Sequence, residues 1–278
     1  MGIGKRRALC RENDPIQEKQ VGAVDVDPKK VGKDAGEIFG FDKANVIVSD
    51  DIDEVLKQEA DVVLIYLPNM RDEGNLRPTG FTPNARNICK ALSANKNVLT
   101  TLPVYNMNET APQLYDMVNN CALEHGVTYI QQGIFPGLFN SYLPVVVSSM
   151  AGRIDKLIVT GGQDDSYNTS PWVQVFGYGK DPKDFNGDVI KDIITSYYGP
   201  TVMEIARRCG IEYDDYVEEH RLFTSKMELN PPCGKVMPGT ISAHEFIMKC
   251  LRDGKEVTGF HFIHKVLRVF LSALIDLF

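Results

Sequence analysis

The sequence predicts an α/β fold, in which an open parallel β-sheet in the first half of the chain is followed by an α+β domain. Two observations predict it. Up to residue 131, short apolar runs alternate with helical patterns, whereas after residue 150 the apolar runs are longer and the hairpin signal Asp253-Gly254 joins two of them. The pattern changes at the turn sequence of residues 133–137. We therefore expect one domain over residues 1–135 and a second over residues 136–267.

The first domain has the alternation of strands and helices that produces a parallel sheet with right-handed crossovers. Strands are predicted over 21–25, 46–48, 61–67, 97–101 and 127–131, and helices over 29–39, 52–58, 84–94 and 108–125. Residues 62–67 form a continuous apolar run, which is typical of a central strand buried on both faces. Pro28 precedes the helix predicted from residue 29, and Asp51 caps the next helix.

The second domain is predicted to combine long antiparallel strands with flanking helices. A helix is expected over 143–151, strands over 153–161, 215–229, 239–252 and 255–267, and one or two helices within 189–209. The segment 163–185 is rich in loop residues. Such a sheet would expose one face to a substrate or to a partner subunit.

Composition and charge exclude several classes of function. A net charge of −7 does not provide the basic surface that nucleic-acid binding requires, and it argues weakly against anionic lipid. The chain shows no signal-peptide pattern, and its longest apolar stretch, 266–278, is too short to span a bilayer. We expect a cytoplasmic protein with neither a nucleic-acid nor a membrane partner.

Cysteine and histidine spacing gives no sign of a metal site. The six cysteines are scattered without CxxC spacing, so reduced thiols are expected rather than a disulfide framework or a zinc site. His261 and His264 lie three apart on a predicted strand, where they point to opposite faces and make a poor metal pair.

An acidic residue, Asp25, ends the first predicted strand. In a Rossmann-type sheet, the acid after the second strand holds the ribose hydroxyls of the adenosine, and the glycine fingerprint lies about twenty residues earlier. Only the tail of such a fingerprint is visible, in Gly2 and Gly4. The first strand is therefore expected to be missing, either from the protein or only from this sequence. Alternatively, Asp25 only caps a turn with Asp27-Pro28.

Several stretches together resemble the dihydrodipicolinate-reductase-like family, in particular its 2,4-diaminopentanoate dehydrogenases and native amine dehydrogenases. They include MGIG (1–4), VGAVDVDPKKVGKDAGE (21–37), 48–56, 97–101, 125–127, 133–137, WVQVFGYGKDPKDF (172–185), 238–245 and 253–257. The resemblance implies a Rossmann domain, an α+β domain for substrate binding and dimerisation, NAD or NADP as cofactor, and a homodimer. It also implies a C-terminal helix over 268–278 that packs back on the first domain.

The sequence departs from this family at three polar positions. Amine dehydrogenases of the group resemble one another in a glutamate after the strand at 97–101, where a carboxylate can hold an ammonium group. Leu102 and two further apolar residues stand there instead, and the nearest acid, Glu109, is expected in the first turn of the next helix. Phe135 and Ser141 replace an asparagine and an aspartate of the family. The changes weigh against ordinary amine chemistry and favour a carbonyl, an imine or a hydrophobic amine as substrate.

Candidate site residues follow from the resemblance and from positions in loops or at strand ends. Cofactor contacts are predicted for Gly2, Gly4, Asp25, Tyr66, Leu67, Pro68, Gly133 and Phe135; catalytic roles for Tyr105, Tyr167 and His244; and a substrate pocket for Phe135, Ser141, Asn168 and Trp172. Packing within the fold is the alternative for Tyr105, His244 and the loop residues. Asp25 favours the free 2′-hydroxyl of NAD, although Lys29 and Lys30 are near enough to accept NADP.

These expectations together predict an NAD(P)-dependent oxidoreductase. The alternative is a non-catalytic, dinucleotide-binding homologue that acts as a structural or regulatory dimer, which the missing glutamate and the missing first strand would favour. A reductase of the dihydrodipicolinate type proper is less expected, because the second domain lacks a signature rich in histidine and lysine.

Overall fold

The structure, a computed structural model, describes residues 19–68, 70–102, 106–168, 172–266 and 274–277. The chain divides into two compact units. Unit 1 comprises residues 1–74, 79–104 and 112–132, and unit 2 comprises residues 75–78, 105–111 and 133–278. The chain therefore passes finally from unit 1 to unit 2 between Gln132 and Gly133.

Unit 1 contains two parallel sheets. The first pairs β1 (Ala23–Val24) with β2 (Val48–Ser49), and the second has the order β3 (Val62–Ile65), β4 (Asn97–Thr100) and β5 (Tyr129–Gln131). The helices are α1 (Ile52–Leu56), α2 (Thr82–Leu92), α3 (Met107–Thr110), which belongs to unit 2, and α4 (Pro112–His125). The predicted strands are confirmed over shorter spans. The helix predicted over 108–125 is instead two helices, because Pro112 starts a new one.

A Rossmann-type sheet has the strand order 3-2-1-4-5-6. The order β2-β1 in one sheet matches its third and second strands, and the order β3-β4-β5 in the other sheet matches its fourth, fifth and sixth strands. The predicted fold class is therefore confirmed. The expectation that the first strand is missing concerns the start of the chain, which lies outside the described residues.

The helix predicted over 29–39 is wrong, because a buried carboxylate organises this segment differently. Asp34 accepts backbone N–H groups from Gly36, Ala44 and Val46 at 2.8, 2.9 and 3.2 Å. The hydrogen bond from Ala44 is the largest cause of a lowered pKa for the Asp34 carboxyl, and burial only partly offsets it. Turns therefore replace the helix, apart from one 3₁₀ turn over Glu37–Phe39.

Unit 2 is built on a mixed sheet with the order β10-β6-β9-β8-β7. Its strands are β6 (Leu157–Asp164), β7 (Asp215–Thr224), β8 (Ile241–Arg252), β9 (Lys255–Lys265) and β10 (Leu274–Leu277). β6 and β9 are parallel neighbours, and the other neighbouring pairs are antiparallel. Asp253 and Gly254 both have positive φ angles, 51° and 71°, which a tight type I′ hairpin between β8 and β9 requires.

The helix expected over 268–278 is not formed in its described part. Residues 274–277 are the strand β10, which pairs antiparallel with β6 in unit 2. Leu274, Ile275 and Leu277 are apolar residues with good strand propensity, and this short stretch has no helical cap or period that would oppose pairing. The expected packing on the first domain is corrected accordingly.

Besides α3, the described part of unit 2 has the α-helices α5 (Leu143–Ser148), α6 (Trp172–Phe176) and α7 (Gly187–Cys209). Asn186 caps α7 by accepting the backbone N–H groups of Asp188 and Val189. The helix packs on β7, β8 and β9, and a hydrogen bond from Thr258 Oγ1 to the Val202 carbonyl joins β9 to it. No helix in the described part of the chain is long and apolar enough to cross a membrane.

The α7 side of the sheet is the interior of unit 2. Cross-strand partners on this side of β8 and β9 are buried, and they are the pairs His244–His264, Phe246–Phe262 and Met248–Phe260. On the opposite side, Glu245, Lys249 and His261 are partly exposed. His261 and His264 therefore point to opposite faces, as predicted from their spacing.

Candidate functional site

Asp25 lies at the carboxyl edge of the first sheet of unit 1, directly after β1. Its Oδ1 accepts the backbone N–H of Asp27 at 3.0 Å, and its Oδ2 pairs with Lys30 Nζ at 2.6 Å. Burial tends to raise the pKa of the Asp25 carboxyl, but the hydrogen bonds from Lys30 and Asp27 outweigh burial and lower it. Asp25 therefore caps the turn at Asp27-Pro28, as the alternative interpretation predicted. A carboxylate has about four lone-pair sites, so Asp25 keeps acceptor capacity for two hydroxyl groups.

The second sheet of unit 1 presents its own carboxyl edge. Residues 66–68 follow β3, as predicted. Thr100, at the end of β4, donates its hydroxyl to the Ile65 carbonyl and accepts the N–H of Leu102. Leu102 is 2 % exposed, so an apolar side chain is buried at the place where a glutamate was expected.

The turn at residues 133–137 is shaped by its glycines. A Cβ atom on Gly133 would lie 2.6 Å from the Pro136 carbonyl oxygen, and Gly137 has a φ of 138°. Phe135 packs among aromatic rings of unit 2, with ring centroids 4.8 Å from Phe139 and 5.1 Å from Phe262. The ring that replaces the family's asparagine therefore packs within an aromatic cluster.

Ser141 and Glu109 have partners inside unit 2. The buried Ser141 hydroxyl donates to Glu204 Oε2 at 2.9 Å. Glu109 lies in α3 and pairs with Arg207 at 3.0 Å. Both side chains therefore already have partners within unit 2.

The densest polar cluster of unit 2 surrounds Asp165, which follows β6 and is fully buried. Its Oδ2 accepts Tyr178 Oη at 2.9 Å and His264 Nδ1 at 3.1 Å. Its Oδ1 accepts the side-chain amides of Gln163 and Asn168, both at 2.9 Å. Burial favours a higher pKa for the Asp165 carboxyl, but the hydrogen bonds from His264, Asn168 and Tyr178 outweigh it and lower the pKa. Asp165 is therefore an ionised carboxylate with four donors.

His264 completes this cluster and is only half satisfied. Nδ1 faces Asp165, whereas Nε2 is buried and has no hydrogen-bond partner among the residues that the structure describes. The imidazole stacks on Phe176 with a centroid distance of 4.5 Å and meets the Phe262 ring edge-on at 4.9 Å. A buried polar atom without a partner costs about 1–3 kcal/mol, so its presence calls for an explanation.

His244, a predicted catalytic residue, has both ring nitrogens engaged. Nε2 lies 2.8 Å from the Phe176 carbonyl oxygen and therefore donates to it. Nδ1 must then accept, and it lies 2.9 Å from His220 Nε2. Burial, followed by the neighbouring His220, lowers the pKa of His244 to about 3. The pair is thus neutral at pH 7, and neither nitrogen of His244 is left for a substrate in this arrangement.

The structure brings one predicted pocket residue, Asn168, into the Asp165 cluster. Tyr167, its neighbour on the same turn, has a side chain that is 61 % exposed. The predicted residues Gly2, Gly4 and Tyr105, and the side chain of Trp172, lie outside the described residues, so their predicted roles stay predictions.

Sequence reasoning missed Asp165, Tyr178 and His264 as a set. Asp165 and His264 are 99 positions apart and meet because β6 and β9 are parallel neighbours whose carboxyl ends share one edge. The local sequence pattern assigned each segment to a strand or a loop, but it did not indicate that the two segments contact each other. A weak signal was the double aspartate at 164–165, three residues beyond the strand predicted over 153–161.

Comparisons with known proteins point to amine dehydrogenases. No family model matches the sequence. A curated amine dehydrogenase from Streptomyces virginiae is 28 % identical over 197 residues, which are 69 % of this chain and 52 % of that protein. The structure of an amine dehydrogenase from Mycobacterium smegmatis aligns with a TM-score of 0.70 at 19 % identity, over 93 % of this chain and 79 % of that one. A protein described as a putative NADPH-dependent oxidoreductase, from Desulfitobacterium hafniense, aligns with a TM-score of 0.49 at 12 % identity, over 94 % of this chain and 62 % of that one.

The chain is similar to amine dehydrogenases, which confirms that part of the resemblance predicted from its sequence. The match spans about half the length of the curated relative. The similarity to the Mycobacterium smegmatis structure shows that the two proteins share a fold.

Proposed function

We propose that the protein is an NAD(P)-dependent oxidoreductase that transfers a hydride to or from a small carbonyl, imine or amine substrate. The observation that carries the proposal is Asp25, an acid with spare acceptor capacity at the end of the second strand of a Rossmann-type strand order. Similarity to amine dehydrogenases supports the same class of activity. A bound nicotinamide dinucleotide supplies or takes up the hydride, and the protein orients the substrate and manages a proton.

The residues of unit 1 fit a dinucleotide. Asp25 would accept the ribose hydroxyls of the adenosine with the lone pairs that Asp27 and Lys30 leave free. The predicted contacts at residues 66–68 belong to the carboxyl edge of the second sheet, the edge at which open parallel sheets bind ligands.

NAD is the expected preference, because a carboxylate repels the 2′-phosphate of NADP. Lys30 weakens this preference, since its ammonium group lies 2.6 Å from Asp25 and offsets the negative charge there. We therefore expect both dinucleotides to bind, with NADH the tighter.

The substrate side is less polar than an amine dehydrogenase would need. Leu102 is buried where a glutamate was expected, and Phe135 belongs to an aromatic cluster. The ionisable cluster in unit 2 is instead that of Asp165, Tyr178 and His264. These features favour a carbonyl, an imine or a hydrophobic amine over a small polar amine.

A homodimer in the cytoplasm is the expected form. Light scattering on the purified protein tests this, and a mass of one chain at micromolar concentration would contradict it.

Calorimetric titration with NADH and with NADPH tests the proposed function. Binding of at least one dinucleotide is expected, and Asp25→Asn should weaken NADH binding at least about tenfold, the loss of about one charged hydrogen bond. Asp42→Asn, an exposed acid of the same unit, is the matched control and should leave the affinity unchanged. No binding of either dinucleotide would contradict the proposal.

A further inference from the structure

We propose that His264, oriented by Asp165, is the group that exchanges a proton with the substrate through Nε2. The inference rests on the proposed function, to which it adds the identity of the acid–base residue. It starts from a contrast between two buried histidines on neighbouring strands, His244 and His264, which face each other across the β8–β9 ladder. His244 uses both nitrogens within the fold, whereas His264 uses one.

Asp165 determines which nitrogen of His264 is available. The lowered pKa of Asp165 keeps this carboxylate ionised, so it can only accept hydrogen bonds. Nδ1 of His264 must therefore carry a proton and donate it, at 3.1 Å. In the neutral imidazole, Nε2 then has the lone pair. A carboxylate that orients an imidazole through Nδ1 is a recurrent arrangement for general acid–base catalysis.

The rest of the cluster prevents Asp165 from moving. Gln163 and Asn168 hold its Oδ1, and Tyr178 shares Oδ2 with His264. The backbone N–H of Asp165 is also bonded to the Lys265 carbonyl at 2.7 Å, next to His264 in β9. The imidazole orientation is thus set by two strands and not by a loop alone, which suits a positioned catalytic group.

The unpaired Nε2 is the observation that points to a ligand. His264 is 5 % exposed, and its ring lies between Phe176 and Phe262. Neither aromatic ring can donate a hydrogen bond to the lone pair. An alcohol O–H or an ammonium N–H would provide the missing donor, and both occur in the reduced product or substrate of the proposed reaction.

The proton balance of the reaction assigns the role. In the reducing direction, the carbonyl carbon gains a hydride from the reduced dinucleotide, the C=O π bond breaks, and the oxygen takes a proton from Nε2–H of the imidazolium. The substrate is reduced, the dinucleotide is oxidised, and the imidazole becomes neutral. For an imine, nitrogen takes the proton, and the reverse reaction returns it to Nε2. His264 would thus perform the proton transfer.

Other titratable groups lie around the Asp165–His264 cluster. They are Asp165 after β6, Tyr178 after α6, His244 on β8 and Tyr198 on α7, which also interacts with Asp165. Burial raises the pKa of both tyrosines, and burial lowers that of His244, so Asp165 is the only one of the four that is charged at pH 7.

Nitrogen NMR of the full chain labelled with ¹⁵N-histidine tests the proposal directly. The sequence has five histidines, so the ring signals can be assigned with His264→Gln and with the matched control His244→Gln. At pH 8, the wild-type protein should show His264 with its proton on Nδ1 and a bare Nε2, and His244 with its proton on Nε2. A proton on Nε2 of His264 would overturn the proposal.

Two probes, cyclohexanol and cyclohexylamine, are then added to the protein saturated with NADH, a combination that cannot turn over. At least one should shift the Nε2 signal of His264 saturably and leave His244 unmoved. The alcohol arm reports a carbonyl substrate, and the amine arm reports an imine. If NADH binds and neither probe shifts His264, the inference fails while the proposed function stands. If no dinucleotide binds, the proposed function fails, and the assignment of His264 as its acid–base residue fails with it.

Turnover gives a second readout with whichever probe reacts. His264→Gln should lower kcat/KM by about 10²–10⁴-fold. The variant should also lose one ionisation from the pH dependence of kcat/KM, and its Kd for NADH should not change. Asp165→Asn tests the positioning role, because it should raise the fraction of His264 that is protonated on Nε2. Unchanged kcat/KM in His264→Gln would overturn the catalytic assignment.

Discussion

Arg77 and Glu218 form a bidentate ion pair in unit 2, in which Nη1 and Nη2 donate to the two carboxylate oxygens at 2.9 and 2.8 Å. Glu218 lies on β7 and also accepts the hydroxyls of Thr195 and Tyr216. Arg77 comes from residues 75–78, which lie between β3 and α2 in the sequence but belong to unit 2. The pair therefore fastens this segment to the sheet.

Removing the guanidinium should destabilise the protein measurably. Arg77→Met leaves Glu218, whose side chain is 14 % exposed, with a largely buried charge and only hydroxyl donors. We expect a loss of about 1–3 kcal/mol in the free energy of unfolding, the range for a buried polar group that loses its partner. Urea titration measures it. Arg153→Met removes an exposed pair with Asp155 and should cost less than about 0.5 kcal/mol; equal losses for both variants would contradict the argument.

Lys30 should determine how well NADPH is tolerated. Replacing it with methionine leaves Asp25 without the ammonium group at 2.6 Å, so the carboxylate will repel a 2′-phosphate more strongly. We expect the ratio of the Kd values for NADPH and NADH to rise by about tenfold, or about 1.4 kcal/mol. Calorimetry on Lys30→Met, with the exposed Lys43→Met as control, measures this ratio. An unchanged ratio would show that Lys30 does not affect cofactor choice.

His244 should make the stability of the protein depend on pH. Burial and the neighbouring His220 lower its folded-state pKa to about 3, whereas the pKa of this histidine in the unfolded chain is about 6.5. Between these values, the unfolded state binds a proton that the folded state does not, so the free energy of unfolding falls as the pH falls below about 6.5. Full stability is expected above that pH.

His244→Gln should reduce the slope of this pH dependence by close to one proton. Urea titrations at several pH values between 4 and 8 measure the slope. Leu123→Gln, at an exposed position of α4 in unit 1, changes no titratable group, so it is the control and should keep the wild-type slope. The same slope in His244→Gln as in the wild type would contradict a neutral buried His244.

Phe135 should contribute packing energy despite its position in a predicted binding turn. Its ring lies 4.8 Å from Phe139 and 5.1 Å from Phe262 between centroids. Phe135→Ala should cost about 2–4 kcal/mol in unfolding free energy, near the lower end for phenylalanine truncation because the ring is only partly buried. Leu138→Ala in the same turn, at 47 % exposure, should cost less than about 1.5 kcal/mol. A neutral Phe135→Ala would instead favour a ring held available for a ligand.

Much of the architecture could be predicted because its signals are local. Apolar runs and their spacing identified the strands β1 to β5 in the described part of unit 1, and Asp253-Gly254 identified the hairpin of unit 2. Asp25 was predicted at a carboxyl edge because it directly follows such a run. The helix predicted over 29–39 does not form, because Asp34 accepts hydrogen bonds from backbone N–H groups as far away as that of Val46. These hydrogen bonds compete with the helix, and sequence periodicity gives no sign of them.

By itself, the sequence determined the fold class, the order of β1 to β9, and the resemblance to amine dehydrogenases. These follow from residue types and short spacings, which one chain segment displays without its neighbours. Only the tertiary structure decided that residues 274–277 join the sheet as β10. It also decided that His264 contacts Asp165, whereas both ring nitrogens of His244 form hydrogen bonds with Phe176 and His220. The physical reason is that a buried polar group is defined by which partners reach it, and the pairing of β6 with β9 brings those partners from distant parts of the chain.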